Sequence, residues 1–342
     1  MRHVPYLGSS RSLVGMWFTE SIPETLPRWH PAENGTARIR TAGAGSLHDL
    51  MERAVKFQAT GLKAYRPGAG NWTSYSNGEA EAAVKAESNY GEMLLTALPD
   101  ALLSLEATLP LCHKFKEALI KFACEKFGEQ NAPSYLTGHV AGAHGEPARR
   151  LHVCAVPLAH VGSPFADGRI LGLGILLPRG LSAEERRNCY QTIQQIDCLN
   201  VVEGTMIQVS PVDFDETRTA LTAATWTWPS FAWQTVTPMV FHRFPKKPGD
   251  ETTLIEQACS FAGLPQPRIA LSEPSSQLRG VPVAAKFRAR ESLNGRPQRF
   301  HRHVYLEFPV RVRGPLLLGA GQSYGYGFFR PVRQREDRGG GE

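Results

Sequence analysis

The order of predicted strands and helices in the second part of the chain constrains the fold more than any other feature. Period-two apolar patterns predict strands over residues 151–158 and 169–177. Ser182 and Glu185 then form a capping-box motif, which opens a helix to about residue 196. A strand, a loop, a strand and a helix in this order are typical of one half of a ferredoxin-like fold.

A second round begins at Trp233. Its helix is predicted over residues 251–262 and ends at Gly263. Its strands are predicted over residues 236–241, 268–271, 284–290 and 303–309. The last two strands flank a turn at residues 294–297, which predicts that they pair as a hairpin. The predicted fold class is therefore α+β, with tandem ferredoxin-like modules and a C-terminal glycine-rich loop.

Glycines and a proline between residues 135 and 147 mark a connector, which we interpret as the domain boundary. Before it, helices are predicted near residues 46–58 and over residues 96–128. The predicted organisation is a first domain with this helical segment, a second domain of two ferredoxin-like halves, and a disordered tail: residues 1–147, residues 148–332 (halves 148–232 and 233–332) and residues 333–342.

Positive charge is concentrated near the C-terminus. The whole chain has a formal net charge of +6 and a pI of about 9.0. Residues 286–313 contain eight basic and two acidic residues, so this stretch alone carries a charge equal to that of the chain. The distribution is typical of a surface that binds an anionic polymer, and it argues against a ferredoxin-like module for small ligands.

Cysteine usage and hydropathy exclude other classes. The six cysteines include no Cys-x-x-Cys pair, which argues against a zinc ribbon and for a reducing compartment. His152 with Cys154, and His139 with His144, come nearest to metal-ligand spacing, and we predict neither a metal site nor a cofactor. No stretch is typical of a signal peptide or a membrane span, so we expect a cytoplasmic protein.

The chain closes with four glycines between apolar flanks: Gly319, Gly321, Gly325 and Gly327. Glycines let a backbone approach phosphates and present its N–H groups to them. The segment lacks the Gly-Lys-Ser/Thr of a P-loop, and no helix follows it as in a dinucleotide-binding fold. It predicts either a loop that binds phosphate or a glycine-rich hairpin without a ligand.

The closing string Gly-Pro-Leu-Leu-Leu-Gly-x-Gly-x-x-x-Gly-x-Gly-Phe-Phe, residues 314–329, resembles the glycine-rich signature of the repeat-associated RNA-binding (RAMP) superfamily of CRISPR proteins. Residues 153–169, 237–243 and 310–315 are similar to the type I-U (I-G) fusion subunit. The resemblance implies a guide-RNA handle-binding module joined to a repeat-cleaving endoribonuclease module. Family members carry further residues before the Pro-Tyr-Leu-Gly segment, so we expect the first module to be incomplete here.

The resemblance implies guide-RNA maturation: metal-independent cleavage of precursor repeat RNA and retention of the mature guide in a type I effector complex. The implied partners are repeat RNA, mature guide RNA and the other subunits of that complex, with target DNA reached only indirectly. The alternative is a structural subunit that binds the guide and does not cut. The sequence leaves both open, because a histidine that holds RNA and a histidine that acts as a base look alike.

Cleavage without a metal needs a base for the ribose 2′-hydroxyl and an acid for the leaving 5′-oxygen, and histidine suits both tasks. His160 ranks first, because it follows a predicted strand in a loop near Arg169, and the resemblance implies a histidine at such a place. A surface residue that caps a turn is the alternative. His152, at the head of the same strand, ranks second. His303 ranks third, with phosphate binding or a strand-edge role as its alternative.

RNA contacts are predicted from basic, glycine and aromatic residues. Cations hold the phosphate backbone, and two loop tyrosines are the best candidates to stack on unpaired bases. We expect residues 286–313 and 319–327 to form one continuous phosphate-binding surface. The predicted contacts are Arg169, His242, Arg243, Lys246, Lys247, Arg288, Arg290, Arg299, Arg302, Arg311, Arg313, Gly319, Gly321, Tyr324, Gly325, Tyr326 and Gly327.

Overall fold

The structure is a computed structural model. It describes residues 30–31, 37–41, 51, 55, 71–76, 84–99, 101–140, 146–148, 150–202, 205–212, 216, 218–247, 249–288 and 299–332. The chain divides into two compact units, Met1–Lys85 and Ala86–Glu342. None of the helices in these ranges combines the length and the apolarity needed to cross a bilayer.

The first unit contains a small antiparallel sheet. Its strands are β1 (His30–Pro31), β2 (Ala37–Thr41) and β3 (Asn71–Ser76), in the order β1-β3-β2. Strand β4 (Val84–Glu87) spans the division between the units. The predicted helix near residues 46–58 lies outside the described residues except at Met51 and Val55, which are helical.

The second unit begins with a complete ferredoxin-like module. Its elements in chain order are β5 (Tyr90–Ala97), α1 (Thr108–Phe127), α2 (Ser134–Thr137), β6 (Cys154–Ala159), β7 (Ile170–Pro178), α3 (Ala183–Ile193), the hairpin β8 (Cys198–Val202) and β9 (Thr205–Gln208), and β10 (Ser210–Pro211). The sheet is antiparallel with the order β10-β5-β7-β6. Helices α1 and α3 are the two crossover helices of this β-α-β-β-α-β arrangement.

Local sequence signals account for these elements. Leu111, Phe115 and Leu119 lie four residues apart on α1 and are all buried. The predicted capping box at the start of α3 is confirmed, because Ser182 Oγ accepts from the Glu185 amide at 3.1 Å and Glu185 Oε2 accepts from the Ser182 amide at 2.9 Å. Strands β6 and β7 are buried along their whole lengths.

The predicted boundary at residues 147–148 falls inside this module. Strand β5 and helix α1 precede the connector, yet β5 pairs with β7, which follows it. The predicted helix over residues 96–128 begins only at Thr108, and the strand before it was not predicted. Residues such as Glu92, Met93 and Leu94 favour helix locally, and pairing with β7 overrides that preference.

The second module begins after α4 (Ala224–Thr227) and has the same strand arrangement. Its elements are β11 (Ser230–Thr235), β12 (Met239–Val240), α5 (Asp250–Phe261), β13 (Ile269–Glu273), β14 (His301–Arg313) and β15 (Phe329–Val332). The strand order is β15-β11-β14, and β12 and β13 both pair with the far edge of β14. The glycine-rich segment stands between β14 and β15, where a ferredoxin-like fold has its second helix.

Two strand predictions in this module are wrong. Residues Ala284–Lys286 form a 3-10 helix, so the described part of the predicted strand, residues 284–288, is not a strand. Residues 289–290 and the predicted turn at residues 294–297 lie outside the described residues. The partner of β14 is β13, with Leu271 opposite Tyr305, and not the predicted hairpin partner. Of the predicted strand over residues 236–241, only Met239–Val240 form a strand, the short β12, because the longer β11 already ends at Thr235. The pairing of β14 with β13 joins residues that are far apart in the chain, so the local sequence pattern did not predict it.

The glycine-rich segment also joins the two modules. Leu317, Tyr326 and Phe328 pack in the hydrophobic core that β5, α1, β6 and β7 build, whereas Trp233, Phe329 and their neighbours form a second core under the other sheet. The loop of the second module is therefore held against α1 and β6 of the first. This contact positions the site described below.

Candidate functional site

A pocket of about 530 Å³ lies where the glycine-rich segment meets the first module. Helix α1, the connector after α2, the residue pair before β6 and the tip of the glycine-rich segment all contribute to its walls. The lining residues are His113, Lys116, Glu117, Ile120, Gly138, His139, Pro147, Ala148, His152, Ser323 and Tyr324. Three histidines and a lysine thus face one cavity.

Helix α1 supplies the first wall of the pocket. His113 and Lys116 are three residues apart and so share one face of the helix. The His113 ring stacks on Tyr324 with centroids 5.7 Å apart, and Lys116 Nζ lies 5.5 Å from the centre of the same ring. His113 Nδ1 is 3.4 Å from Glu117 Oε1. The tip of the glycine-rich segment is therefore held over the polar face of α1.

His152 is a largely buried histidine of the pocket. Its Nε2 shares a hydrogen bond of 2.8 Å with Ser323 Oγ. Burial lowers the pKa of His152 to about 4, and the charges of Lys116 and His139 act in the same direction. The imidazole is neutral at pH 7 as a result. Gly138, with φ +73°, makes room for the ring, since a Cβ there would lie 3.0 Å from it.

The glycines themselves face the protein. Gly319, Gly321, Gly325 and Gly327 are buried, and a Cβ on Gly325 would lie 2.6 Å from Cys112 Sγ. Gly319, Gly325 and Gly327 also have positive φ, which favours glycine. Between them, Gln322–Tyr324 forms a half-buried 3-10 turn that borders the pocket. Close packing thus explains these glycines, and the turn is the part that a ligand would meet.

The two tyrosines predicted to stack on bases have different surroundings. Tyr324 is half-buried and lines the pocket beside His113. Tyr326 is 1% exposed, and its hydroxyl donates to the Arg288 carbonyl at 2.6 Å. The geometry favours base stacking by Tyr324 and a packing role for Tyr326.

His160 lies at the opposite end of β6 from His152. Its Nδ1 is 3.1 Å from Asp167 Oδ1, and its Nε2 shares a 3.0 Å hydrogen bond with Ser163 Oγ. Asp167 also accepts from the Arg169 amide at 3.1 Å, so one carboxylate holds both ends of the loop. The hydrogen bond from the Arg169 amide, supported by the smaller effect of the His160 contact, lowers the pKa of Asp167. This histidine is well oriented and half-exposed, and Arg169 is exposed beside it.

His303 is part of the core. It is 0% exposed, its Nε2 lies 2.9 Å from the Pro282 carbonyl, and its Nδ1 lies 3.0 Å from Thr235 Oγ1. Burial lowers its pKa to about 4, against a smaller raising effect of the Pro282 hydrogen bond. Thr235 Oγ1 already accepts from the Val304 amide, so its hydroxyl proton is directed to His303 Nδ1. This geometry favours a structural role over catalysis.

The predicted basic residues are distributed over separate places. Arg302 lies over the Phe300 ring at 4.4 Å, whereas Arg311 lies over Phe231 at 5.3 Å. These two arginines are nine positions apart on strand β14, which is about 30 Å. Burial, and to a smaller extent the charge of Arg299, lowers the pKa of His242. Arg313 is mostly buried, with Nε 4.0 Å from Glu87 Oε1. Arg243, Lys246, Lys247 and Arg288 are exposed, and Arg290 lies outside the described residues.

The pocket contains residues that the sequence did not single out. His113, Lys116 and Ser323 were not predicted, and His139 was considered only as a metal ligand. The spacing of His113 and Lys116 on an amphipathic helix was the available signal, but it does not indicate what covers that face. Within the part of the chain that the structure describes, no three His, Cys, Asp or Glu side chains are grouped to hold a metal ion.

Comparison with known proteins places the chain among CRISPR proteins. No curated protein matches it. A family model described as CRISPR-associated protein, GSU0054 family, matches residues 12–331, which is most of the 342-residue chain. Membership supports a role in CRISPR defence. The chain therefore belongs to the CRISPR-associated GSU0054 family.

Proposed function

We propose that this protein binds CRISPR repeat RNA, cuts it without a metal ion in the pocket between α1 and the glycine-rich segment, and retains the guide in a type I effector complex. The observation that carries the proposal is the convergence of His113, His139, His152 and Lys116 with the Tyr324 ring in one open pocket. Such a set provides proton transfer, phosphate neutralisation and base stacking together.

The proposed chemistry begins at the 2′-hydroxyl of the ribose. Neutral His152, placed by Ser323, accepts that proton, and the 2′-oxygen attacks the adjacent phosphorus. The bond to the 5′-oxygen breaks, and a second histidine of the pocket, His113 or His139, donates a proton to it. Lys116 stabilises the extra negative charge of the pentacovalent transition state. The products carry a 2′,3′-cyclic phosphate and a 5′-hydroxyl.

The module assignment follows the observed division of the chain. We propose that the two ferredoxin-like modules of Ala86–Glu342 form the cleaving part, which resembles the endoribonuclease module of the type I-U (I-G) fusion subunit. The residues of Met1–Lys85 then belong to the handle-binding part. Repeat RNA, mature guide RNA and other effector subunits are the proposed partners.

One observation favours the alternative of a structural guide-binding subunit. A histidine with a pKa of about 4 is a weak base, and weak bases accelerate proton transfer less at pH 7. A bound phosphate would raise the pKa of His152, because a nearby negative charge favours the imidazolium. An experiment that measures both RNA binding and RNA cleavage therefore distinguishes the two functions.

The test uses the purified chain with end-labelled repeat RNA in excess EDTA. We expect one cut, product ends with a 2′,3′-cyclic phosphate and a 5′-hydroxyl, and complete protection by a 2′-deoxy nucleotide at the cut. Cleavage of the deoxy substrate, or dependence on Mg²⁺, would contradict the mechanism. Tight binding without any cut would establish the structural alternative.

A further inference from the structure

A second, smaller cleft of about 100 Å³ adjoins the pocket and has no role in the chemistry above. Two pairs of consecutive residues are divided between the two cavities. Leu151 lines the cleft and His152 the pocket, and Gln322 lines the cleft where Ser323 lines the pocket. The cleft therefore lies close enough to the pocket for one RNA chain to contact both.

Aromatic rings continue from the cleft across the surface of the second module. His242 and Phe261 line the cleft and meet edge to face with centroids 6.0 Å apart. Phe244 packs edge to face on Phe300 at 5.3 Å, and the Arg302 guanidinium lies over the Phe300 ring at 4.4 Å. Phe244 is 67% exposed and Phe261 is 76% exposed. Large rings so exposed have little packing role in this chain and are available to a partner.

The charges around these rings select the class of partner. Arg243, Lys246, Lys247 and Arg299 are exposed beside them, and Arg302 is half-buried. The acidic residues of α5 are Asp250, Glu251 and Glu256, and the Asp250 carboxylate accepts from the Lys246 and Lys247 backbone amides at 2.9 and 3.0 Å. Cations interleaved with exposed rings are typical of surfaces that bind single-stranded nucleic acid. An apolar protein partner would leave these cations without counter-charges.

Polar groups at the floor of the cleft complete the site. Gln322 Oε1 accepts from the Tyr90 hydroxyl at 3.2 Å, which fixes the amide at the boundary between the two cavities. Asn89 and Ser88 also line the cleft. Amide side chains read the edges of unpaired bases, and aromatic rings stack on their faces.

We propose that this cleft, together with the surface of His242, Phe244, Phe261, Phe300 and Arg302, binds the unpaired nucleotides that flank the cut on one side. The inference rests on the proposed function, since it places single-stranded RNA next to the cleavage pocket. It adds a stacking site that holds this RNA independently of the chemistry.

The experiment measures binding of repeat RNA that carries a 2′-deoxy nucleotide at the mapped cut, so that no cleavage occurs. The variants are the double substitution Phe244→Leu with Phe261→Leu and, as a matched control, Phe165→Leu, an 86% exposed phenylalanine in the loop after His160. We expect the double variant to bind about tenfold or more weakly, because base stacking is lost. The control should bind as the wild type does.

A second arm replaces single flanking nucleotides with abasic ones. In the wild type an abasic nucleotide at the stacked position should weaken binding about tenfold. In the double variant it should have no further effect, since the ring it met is gone. Equal abasic effects in both proteins, or equal losses for the double variant and Phe165→Leu, would overturn the proposal.

The results separate this inference from the proposed cleavage. Wild-type protein that cuts RNA, with a double variant that binds normally, refutes the stacking surface and leaves the exposed rings to another subunit. Wild-type protein that binds without cutting, with the abasic series as expected, refutes the cleavage and supports the surface. Wild-type protein that does not bind repeat RNA overturns both.

Discussion

The two ends of strand β6 carry histidines with the same covalent chemistry in different surroundings. His152 precedes the strand, is largely buried, and shares its pocket with Lys116 and two more histidines. His160 follows the strand in a half-exposed loop, where Asp167 and Ser163 occupy its two nitrogens. The six-residue strand between them is about 17 Å long, so one phosphate cannot reach both.

The difference shows that orientation and environment are separate requirements of a site. The loop at His160 orients an imidazole well, because an acid and a hydroxyl hold both nitrogens, but no pocket borders it among the two described above. The end at His152 supplies a cavity, a lysine and an aromatic ring. Phosphoryl transfer needs charge stabilisation and a bound substrate as well as a base, which favours the His152 end.

Substitution of single histidines should have the largest effect, which is on the rate of RNA cleavage. His152→Ala should lower the cleavage rate about 10³-fold at saturating RNA, as loss of a general base does, while RNA affinity changes little. His160→Ala is the matched control and should stay within about threefold of the wild-type rate. Single-turnover kinetics measure both. A large loss for His160→Ala with an active His152→Ala would reverse the comparison.

The sequence predicted what local signals encode. The capping box at Ser182 was predicted correctly because its two hydrogen bonds join residues three apart. Tandem ferredoxin-like modules followed from alternating patterns, although β5 was missed and residues 284–288 were wrongly predicted as part of a strand. The register of β14 with β13 depends on residues that are far apart in the chain, and a single sequence carries no signal for it.

The pocket could be predicted only in part. His152 and Tyr324 were named, but they are 172 residues apart and nothing in their spacing brings them together. His113 and Lys116 lie on the helix predicted over residues 96–128, and the docking of the glycine-rich segment on that helix makes their face a wall of the pocket. The same docking buries Tyr326 and the glycines, which were predicted to face RNA.

Acidification should lower the free energy of unfolding through His152, which lies at one end of β6. Folded His152 titrates at about 4 and an unfolded histidine at about 6.5, so the unfolded state binds more protons in between. Stability therefore falls as pH falls through this window, by about 3 kcal/mol from this residue by pH 4.

Chemical unfolding of His152→Gln at pH 7 and pH 4.5 measures the effect. The variant should lose less stability on acidification than the wild type, since it has no proton to bind at this position. His160→Gln should retain most of the wild-type loss. His303, with its own lowered pKa, contributes equally to all three proteins. An unchanged loss in His152→Gln would contradict a neutral, buried imidazole.

Packing of the glycine-rich segment under the pocket gives the next effect. In Gly325→Ala the new Cβ would lie 2.6 Å from Cys112 Sγ and 3.2 Å from the Ala155 carbonyl of β6. We expect a loss of about 2 kcal/mol beyond the cost of positive φ alone, as in other overpacked sites. Gly180→Ala is the control, because its φ of +81° is similar and nothing lies within 4 Å of its Cβ. Equal midpoints in urea for the two variants would show that the segment is not docked there.

Single charges near each end should give the smallest effect. Arg302 lies on the aromatic surface beside the cleft that adjoins the His152 pocket, and Arg169 is exposed beside His160. Each phosphate contact with single-stranded RNA adds about 0.7 to the slope of log affinity against log salt. If RNA passes the His152 end, Arg302→Gln should lower the slope by about 0.7, and Arg169→Gln should leave it unchanged. Both substitutions remove one positive charge, so the net charge of the protein changes equally and only the position of the lost contact differs. If only Arg169→Gln lowers the slope of log affinity against log salt, the RNA binds at the His160 end of β6, and His160 becomes the better candidate for the base.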